Sequence, residues 1–179
     1  MEIFYHHVGS PGADRDFPKT VFGEVTLKLV EENIGDGVGR LVVRELEAEF
    51  GTEAFNCWGV PAGAHQVIQS LKPGDVMLLA ASARIDGLVP ALCEVRVFEP
   101  AQFRELSNIL WGDEKYPYLF FFKTERLTLT WPEFLEHLGY SENFNPRGWV
   151  YHVSASRLAP YHGPEGYVNL LRTEYLAPA

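Results

Sequence analysis

Asp86 and the triplet Glu94-x-Arg96 have the D…ExK spacing of a metal-dependent nuclease, with arginine where the lysine would stand. A guanidinium stays protonated and cannot activate water, and Glu94 also fits the solvent face of an alternating strand. The triplet therefore reads as surface charge. His6, His7, His65, His137, His152 and His162 show no close ligand pairing. Adjacent His6 and His7 point to opposite faces of a strand, so they cannot grip one ion together. The chain carries no GxSxG elbow, no HExxH and no GxxxxGK[ST] loop. No catalytic residue, metal or cofactor is expected.

The aromatic residues carry more information. Trp58 stands where a strand gives way to a helix, between Asn56 and Gly59-Val60-Pro61. Trp111 follows a short helix, in the run from Leu110 to Tyr118. Tryptophans beside glycine and proline in loops are poorly placed for a core, but can line a pocket whose flat walls sandwich a base or cage a methyl group. Trp131 and Trp149 lie inside strand-like sequence and read as core. For Trp58, position alone leaves core and pocket evenly matched.

These residues must be held by a chain of 179 residues, 46% hydrophobic, with formal charge −9. That length suits one compact domain. No apolar run approaches the roughly 20 residues of a membrane span, and MEIFYHHVG lacks the basic start and apolar core of a signal peptide. Cys57 and Cys93 are too few for a disulfide framework or a four-ligand zinc cluster. The chain reads as a soluble, cytoplasmic domain. Residues 1–60 carry 5 basic and 11 acidic side chains, so most of the acidity sits in the first third. Extended coating of nucleic acid needs clustered Lys and Arg, and this balance argues against it. A small site reading one nucleotide remains open.

Aromatic and β-branched residues over 2–8 predict a first strand, and a Gly/Pro/Asp loop follows over 9–19. In residues 23–50, Glu45, Glu47 and Glu49 alternate with Leu46, Ala48 and Phe50, and Asp36-Gly37 signals a turn, which favours a hairpin. Val42, Leu46 and Phe50 also lie four apart, which allows a helix. A strand over 55–60 leads into a helix opened by Pro61, with Ala64, Val67, Ile68 and Leu71 as its buried stripe. Lys72-Pro73-Gly74-Asp75 is a tight turn into a buried strand over 76–82. A turn over 84–87, a long return strand over 88–98 and a second helix over 101–110 follow. Strands are expected over 118–123, 126–131 and 149–153, with a third helix opened by Pro132 and ended by Gly139. Such an order predicts an α+β domain around a mixed, strongly curved sheet or barrel.

The ordered set NCWGVPAG…IQSLKPGDVMLLAASARIDGLVPALCEVRVF…LWGDEKYPYLFFF, with the later segment Phe144–Gly148, resembles the EVE and YTH domains of the PUA-like superfamily. The resemblance is greatest to specificity modules of modification-dependent restriction enzymes. It covers a core over 55–158, leaving an acidic strand or hairpin region over 1–54 and a C-terminal helix or linker over 159–179. It implies a small barrel with short peripheral helices and a pocket for one extruded, modified nucleotide.

Carried over by position, Trp58 matches the first wall of an aromatic cage and Asn56 a reader of the base edge. Trp111 corresponds to a second wall, and Ser82, Arg84 and Asp86 to the pocket mouth. Lys115, Lys123, Arg126 and Arg147 are candidate phosphate contacts. The implied function is recognition of a methylated or hydroxymethylated base in DNA, with any nuclease or motor on the same or a partner polypeptide. An RNA-binding module reading methylated adenine is one alternative. An amide hydrolase of the related ASCH type is another, and it would need Lys123, Thr124 and Glu125 to converge. Strand alternation sends such neighbours to opposite faces.

Overall fold

The computed structural model describes residues 1–147 and 150–178. In chain order the elements are β1 (Ile3–His7), α1 (Ser10–Thr20), α2 (Leu27–Ile34), α3 (Val38–Phe50), β2 (Asn56–Val60), α4 (His65–Ile68), β3 (Val76–Ala80), β4 (Ala91–Glu94) and β5 (Val97–Phe98). They continue as α5 (Arg104–Trp111), β6 (Tyr118–Phe122), β7 (Thr124–Arg126), α6 (Trp131–His137), β8 (Val150–His152), α7 (Ala155–Leu158) and α8 (Pro164–Glu174). The chain forms two compact units. The first comprises Met1–Asp14, Asp75–Cys93 and Glu125–Ala179, the second Arg15–Gly74 and Glu94–Thr124. The stretch 1–54 thus gives β1 to the first unit and α2 and α3 to the second.

In the first unit a sheet runs in the order β7-β4-β3-β1-β8, with β1 parallel to β3 from Ile3↔Val76 to His7↔Ala80. Strand β8 pairs antiparallel with β1. Alternation along β1 sets Ile3, Tyr5 and His7 on one face and Phe4 and His6 on the other. Ile3 and Tyr5 join Val76, Leu78, Ala80, Trp131, Phe134, Leu135, Tyr167 and Leu171 in one buried cluster. The expected C-terminal helix or linker is a helix there: α8 buries Tyr167, Val168 and Leu171.

Helix α6 opens on a capping box. The Thr130 hydroxyl accepts from Glu133 N, and the Glu133 carboxylate accepts from Thr130 N at 2.9 Å. Gly139, at φ 62°, follows its end. Because this box fixes where Trp131 enters the core, Thr130→Ala is expected to cost about 1–2 kcal/mol of stability, read as a lowered urea midpoint.

In the second unit β2, β6 and β5 form an antiparallel sheet whose strands are almost wholly buried. The hairpin expected over 23–50 is instead a helix pair. Thr26 caps α2 by accepting from Leu29 N, and Val42, Leu46 and Phe50 form the buried stripe of α3. The two-residue alternation near Glu45 is too short to compete with a four-residue spacing sustained over the whole segment. Asp36-Gly37 marks the break between helices rather than a strand turn. Likewise the loop expected over 9–19 is largely helix α1, which buries Ala13 and Phe17.

Other expectations are corrected too. The long strand over 88–98 divides into β4 and β5, which belong to different sheets, one of five strands and one of three. Trp131 opens a helix instead of lying in a strand, and Trp111 ends α5 rather than following it. Trp149 and Gly148 lie outside the described residues. The Lys72–Asp75 turn does lead from α4 into β3 as expected. Among the described residues no helix is long and apolar enough to cross a membrane.

Candidate functional site

Trp58 and Trp111 do come together in the second unit, but as core rather than as the walls of an open pocket. Trp58 has no exposed surface and Trp111 only 4%. Their ring centres lie 5.3 Å apart, and Phe17 and Tyr116 approach Trp58 at 5.0 and 5.2 Å. Trp111 donates its indole N–H to Thr20 Oγ1 at 3.1 Å. A Cβ built on Gly59 would stand 2.4 Å from the Tyr116 carbonyl oxygen and 3.1 Å from the Trp111 ring, so glycine is what allows this packing. The expectation of a partly exposed Trp58 is therefore corrected: Gly59 lets the neighbouring rings close over it. Asn56 spends both ends of its amide locally, donating to the Gly23 carbonyl and accepting from Thr124 N, each at 2.9 Å.

The remaining expected residues are divided between the units. Ser82, Arg84 and Asp86 occupy the loop after β3 in the first unit, where Arg84 and Asp86 are exposed. Arg126 and Arg147 are exposed on the same unit. Lys115 and Lys123 belong to the second, where Lys115 lies 3.8 Å from Asp113 and Lys123 lies 3.2 Å from Glu53. Lys123, Thr124 and Glu125 do not converge. Lys123 also donates to the Ala54 carbonyl and Thr124 to the Val21 carbonyl, whereas Glu125 accepts from Arg172 at 2.6 and 2.8 Å.

The first unit holds a cavity of about 730 Å³ whose wall includes Arg84, Ile85, Trp131, Tyr140 and the carboxylates Glu136 and Glu142. Its position follows from the chain. Parallel strands β1 and β3 end at the same edge, where Val8 N donates to Ala80 O at 2.9 Å. Loops leaving that edge of a parallel pair are where such sheets place ligand sites. The loop 81–87 turns back tightly, Gly87 N donating to Arg84 O and Trp131 N to Gly87 O, so that α6 begins beside it. Ile85 at the rim is 91% exposed, unusual for so apolar a side chain.

Trp131 and Tyr140 line the cavity, and with Phe134 and Phe144, which do not, they form a set of four nearly parallel rings. Trp131 stacks on Phe134 with centres 5.2 Å apart, and Tyr140 on Phe144 at 4.8 Å. Between the two pairs the spacing is wider, 6.5 Å from Trp131 to Phe144 and 6.3 Å from Phe134 to Tyr140, with planes within 24°. Arg157 caps Tyr140 at 3.9 Å from its ring centre. Tyr5 meets three of the four rings, at 5.0 to 6.3 Å, and His7 lies 6.1 Å from Trp131.

Sequence reasoning singled out Arg84 for the mouth of a pocket, and it does line this one. It missed Trp131, Tyr140 and Phe144. Their signal was present: Trp131 and Phe134 are three apart behind the capping residue Thr130, and Tyr140 and Phe144 follow the helix-ending Gly139 in sequence too polar for a strand. Burial lowers the pKa of His7 and raises that of Tyr5, so both are neutral at pH 7. Among the described residues no group of three His, Cys, Asp or Glu side chains is placed to hold a metal. The cavity itself pairs an apolar wall of Trp131, Leu135 and Tyr140 with the charged side chains Arg84, Glu136 and Glu142.

No family model matches the chain, and no curated protein does. Among solved structures it is similar to one described as the N-terminal domain of Thermococcus gammatolerans McrB bound to m5C DNA. That match has a TM-score of 0.68 at 18% identity and covers 97% of this chain and 98% of the other. At that identity the likeness is one of fold, and it extends over nearly the full length of both chains.

Proposed function

We propose that this chain is a cytoplasmic binding module that takes one modified base of DNA, methylated or hydroxymethylated, into the aromatic cavity of the first unit. On this reading it is a PUA-like, EVE/YTH-related specificity domain of a modification-dependent restriction system. It has no catalysis of its own, and a nuclease or motor lies on the same or a partner polypeptide. The observation that carries the reading is the near-complete fold likeness to a McrB N-terminal domain that is itself bound to m5C DNA. The aromatic quartet gives it chemistry. Extruding a base costs a few kcal/mol, and stacking returns about 1–3 kcal/mol per base. Tyr140, half-buried on the cavity wall, offers a flat ring one such face. Separate engagement of Lys123, Thr124 and Glu125 favours binding over hydrolysis as the role.

The test is a panel of short duplexes and single strands, DNA and RNA, each plain, methylated or hydroxymethylated at one base. Modified duplex DNA is expected to bind at least about tenfold more tightly than plain, with a shallow salt slope, because few cations flank the cavity. Equal affinity for plain and modified DNA with a steep slope would make this a general nucleic-acid binder. Preference for methylated single-stranded RNA would replace DNA as the partner.

A further inference from the structure

The loop after β3 is a short finger pinned at its base. Ala81 N donates to the Leu88 carbonyl at 2.9 Å, Leu88 bridges to Thr130, and Trp131 N donates to the Gly87 carbonyl at 2.8 Å. At the tip, Gly87 N donates to the Arg84 carbonyl at 2.9 Å, a four-residue turn with Ile85 and Asp86 at its central positions. A Cβ on Gly87 would stand 2.1 Å from the Ser82 carbonyl oxygen, so glycine is what lets the finger close. Ile85 is 91% exposed on this tip. Among the described residues the next most exposed large apolar side chains, Leu41 and Ile109, are 52% exposed. Single apolar residues are common on surfaces, but this one stands on a pinned turn and borders the cavity with Arg84, Trp131 and Tyr140.

We infer that Ile85 is the wedge that opens the duplex, entering the base stack where the modified nucleotide leaves it and holding the gap while the base occupies the cavity. The inference rests on the base-binding reading above and names the residue that does the extruding. Extrusion unstacks the target base from its neighbours, and the base falls back unless something fills the space it leaves. An isoleucine in water gains by moving between apolar base faces, and it is among the side chains that proteins insert between base steps. Its β-branch leaves few rotamers, and the pinned turn fixes its backbone, so insertion loses little conformational freedom. Charge cannot replace the wedge here. The cavity wall sets the carboxylates Glu136 and Glu142 against one guanidinium, Arg84, so attraction to phosphates contributes little to opening. Arg84, one residue before the tip, is the cation placed to meet the phosphate beside the opened step.

The experiment titrates the intact chain with two duplexes of one sequence. In the first a single 5-methylcytosine is paired with guanine, and in the second the same nucleotide is an unpaired bulge, already outside the stack. Ile85→Ser is expected to bind the paired duplex about tenfold more weakly, the low end of what burying an isoleucine side chain contributes, and the bulged one as the unaltered protein does. Ile85→Leu should restore binding of the paired duplex. Melting temperature should not change in either variant, because the side chain is almost fully exposed. Unchanged binding of the paired duplex by Ile85→Ser would overturn the inference. Equal weakening on both duplexes would overturn it too, by making Ile85 a pocket wall rather than a wedge. In both cases base binding stands if Tyr140→Ala weakens both duplexes. If the unaltered protein binds neither duplex, or Tyr140→Ala leaves both unchanged, base binding in this cavity falls and the inference with it.

Discussion

Trp58→Ala is expected to lower unfolding free energy by about 3–5 kcal/mol, the range for deleting a large buried aromatic side chain. Its ring is fully buried, and Phe17, Trp111 and Tyr116 surround it at 5.0 to 5.3 Å between centres. Those rings cannot collapse far into the space it leaves, because Gly59 already brings the Tyr116 backbone close beneath them. Equilibrium urea unfolding reads the loss directly. A change under about 1 kcal/mol would mean that the Trp58 site is open in solution, as the family resemblance implies.

Acidification from pH 7 to pH 4 is expected to remove about 3 kcal/mol of stability through His6 alone. Its imidazole is buried on the opposite face of β1 from Tyr5 and His7, and that burial holds its pKa at about 3, against 6.5 for a free side chain. Between those two values the unfolded chain binds a proton that the folded chain refuses. Stability therefore rises with pH across that window and falls as pH drops from about 6.5 toward 3. Urea unfolding of the wild type and His6→Leu at both pH values checks this. The variant should lose about 3 kcal/mol less on acidification. Parallel losses in both proteins would show that His6 is solvated in the folded state.

Most strands were legible because each signal was local and strong. The aromatic and β-branched run over β1, the Lys72–Asp75 turn and the Pro132 to Gly139 helix all appear where pattern and turn chemistry place them. Residues 23–50 were misread as a hairpin because two periodicities overlap around Glu45, and only the burial of Val42, Leu46 and Phe50 decides between them. The pocket was harder to see. For Trp58 the sequence leaves core and pocket evenly matched, and Gly59, by letting Tyr116 and Trp111 close over the ring, decides for core. Trp131 reads as core and is core, but the Thr130 cap makes it the first residue of a helix rather than part of a strand, and its edge borders the cavity. Whether a tryptophan is core or wall depends on partners far along the chain, such as Thr20 for Trp111 and Tyr5 for Trp131. No window of sequence contains those pairs.

The central claim is that the base goes to the Trp131–Tyr140 cavity and not to Trp58. It is tested most directly by comparing Tyr140→Ala and Trp58→Phe with the wild type. The measurement is binding of one duplex carrying a single 5-methylcytosine and of its unmodified twin, after melting curves confirm that each variant is folded. Tyr140 is half-buried and its loss removes a stacking face worth about 1–3 kcal/mol, so Tyr140→Ala should lose most of the preference for the modified duplex. Trp58→Phe keeps the core filled and should retain it. Preference lost in Trp58→Phe but intact in Tyr140→Ala would contradict the account and return the site to the second unit.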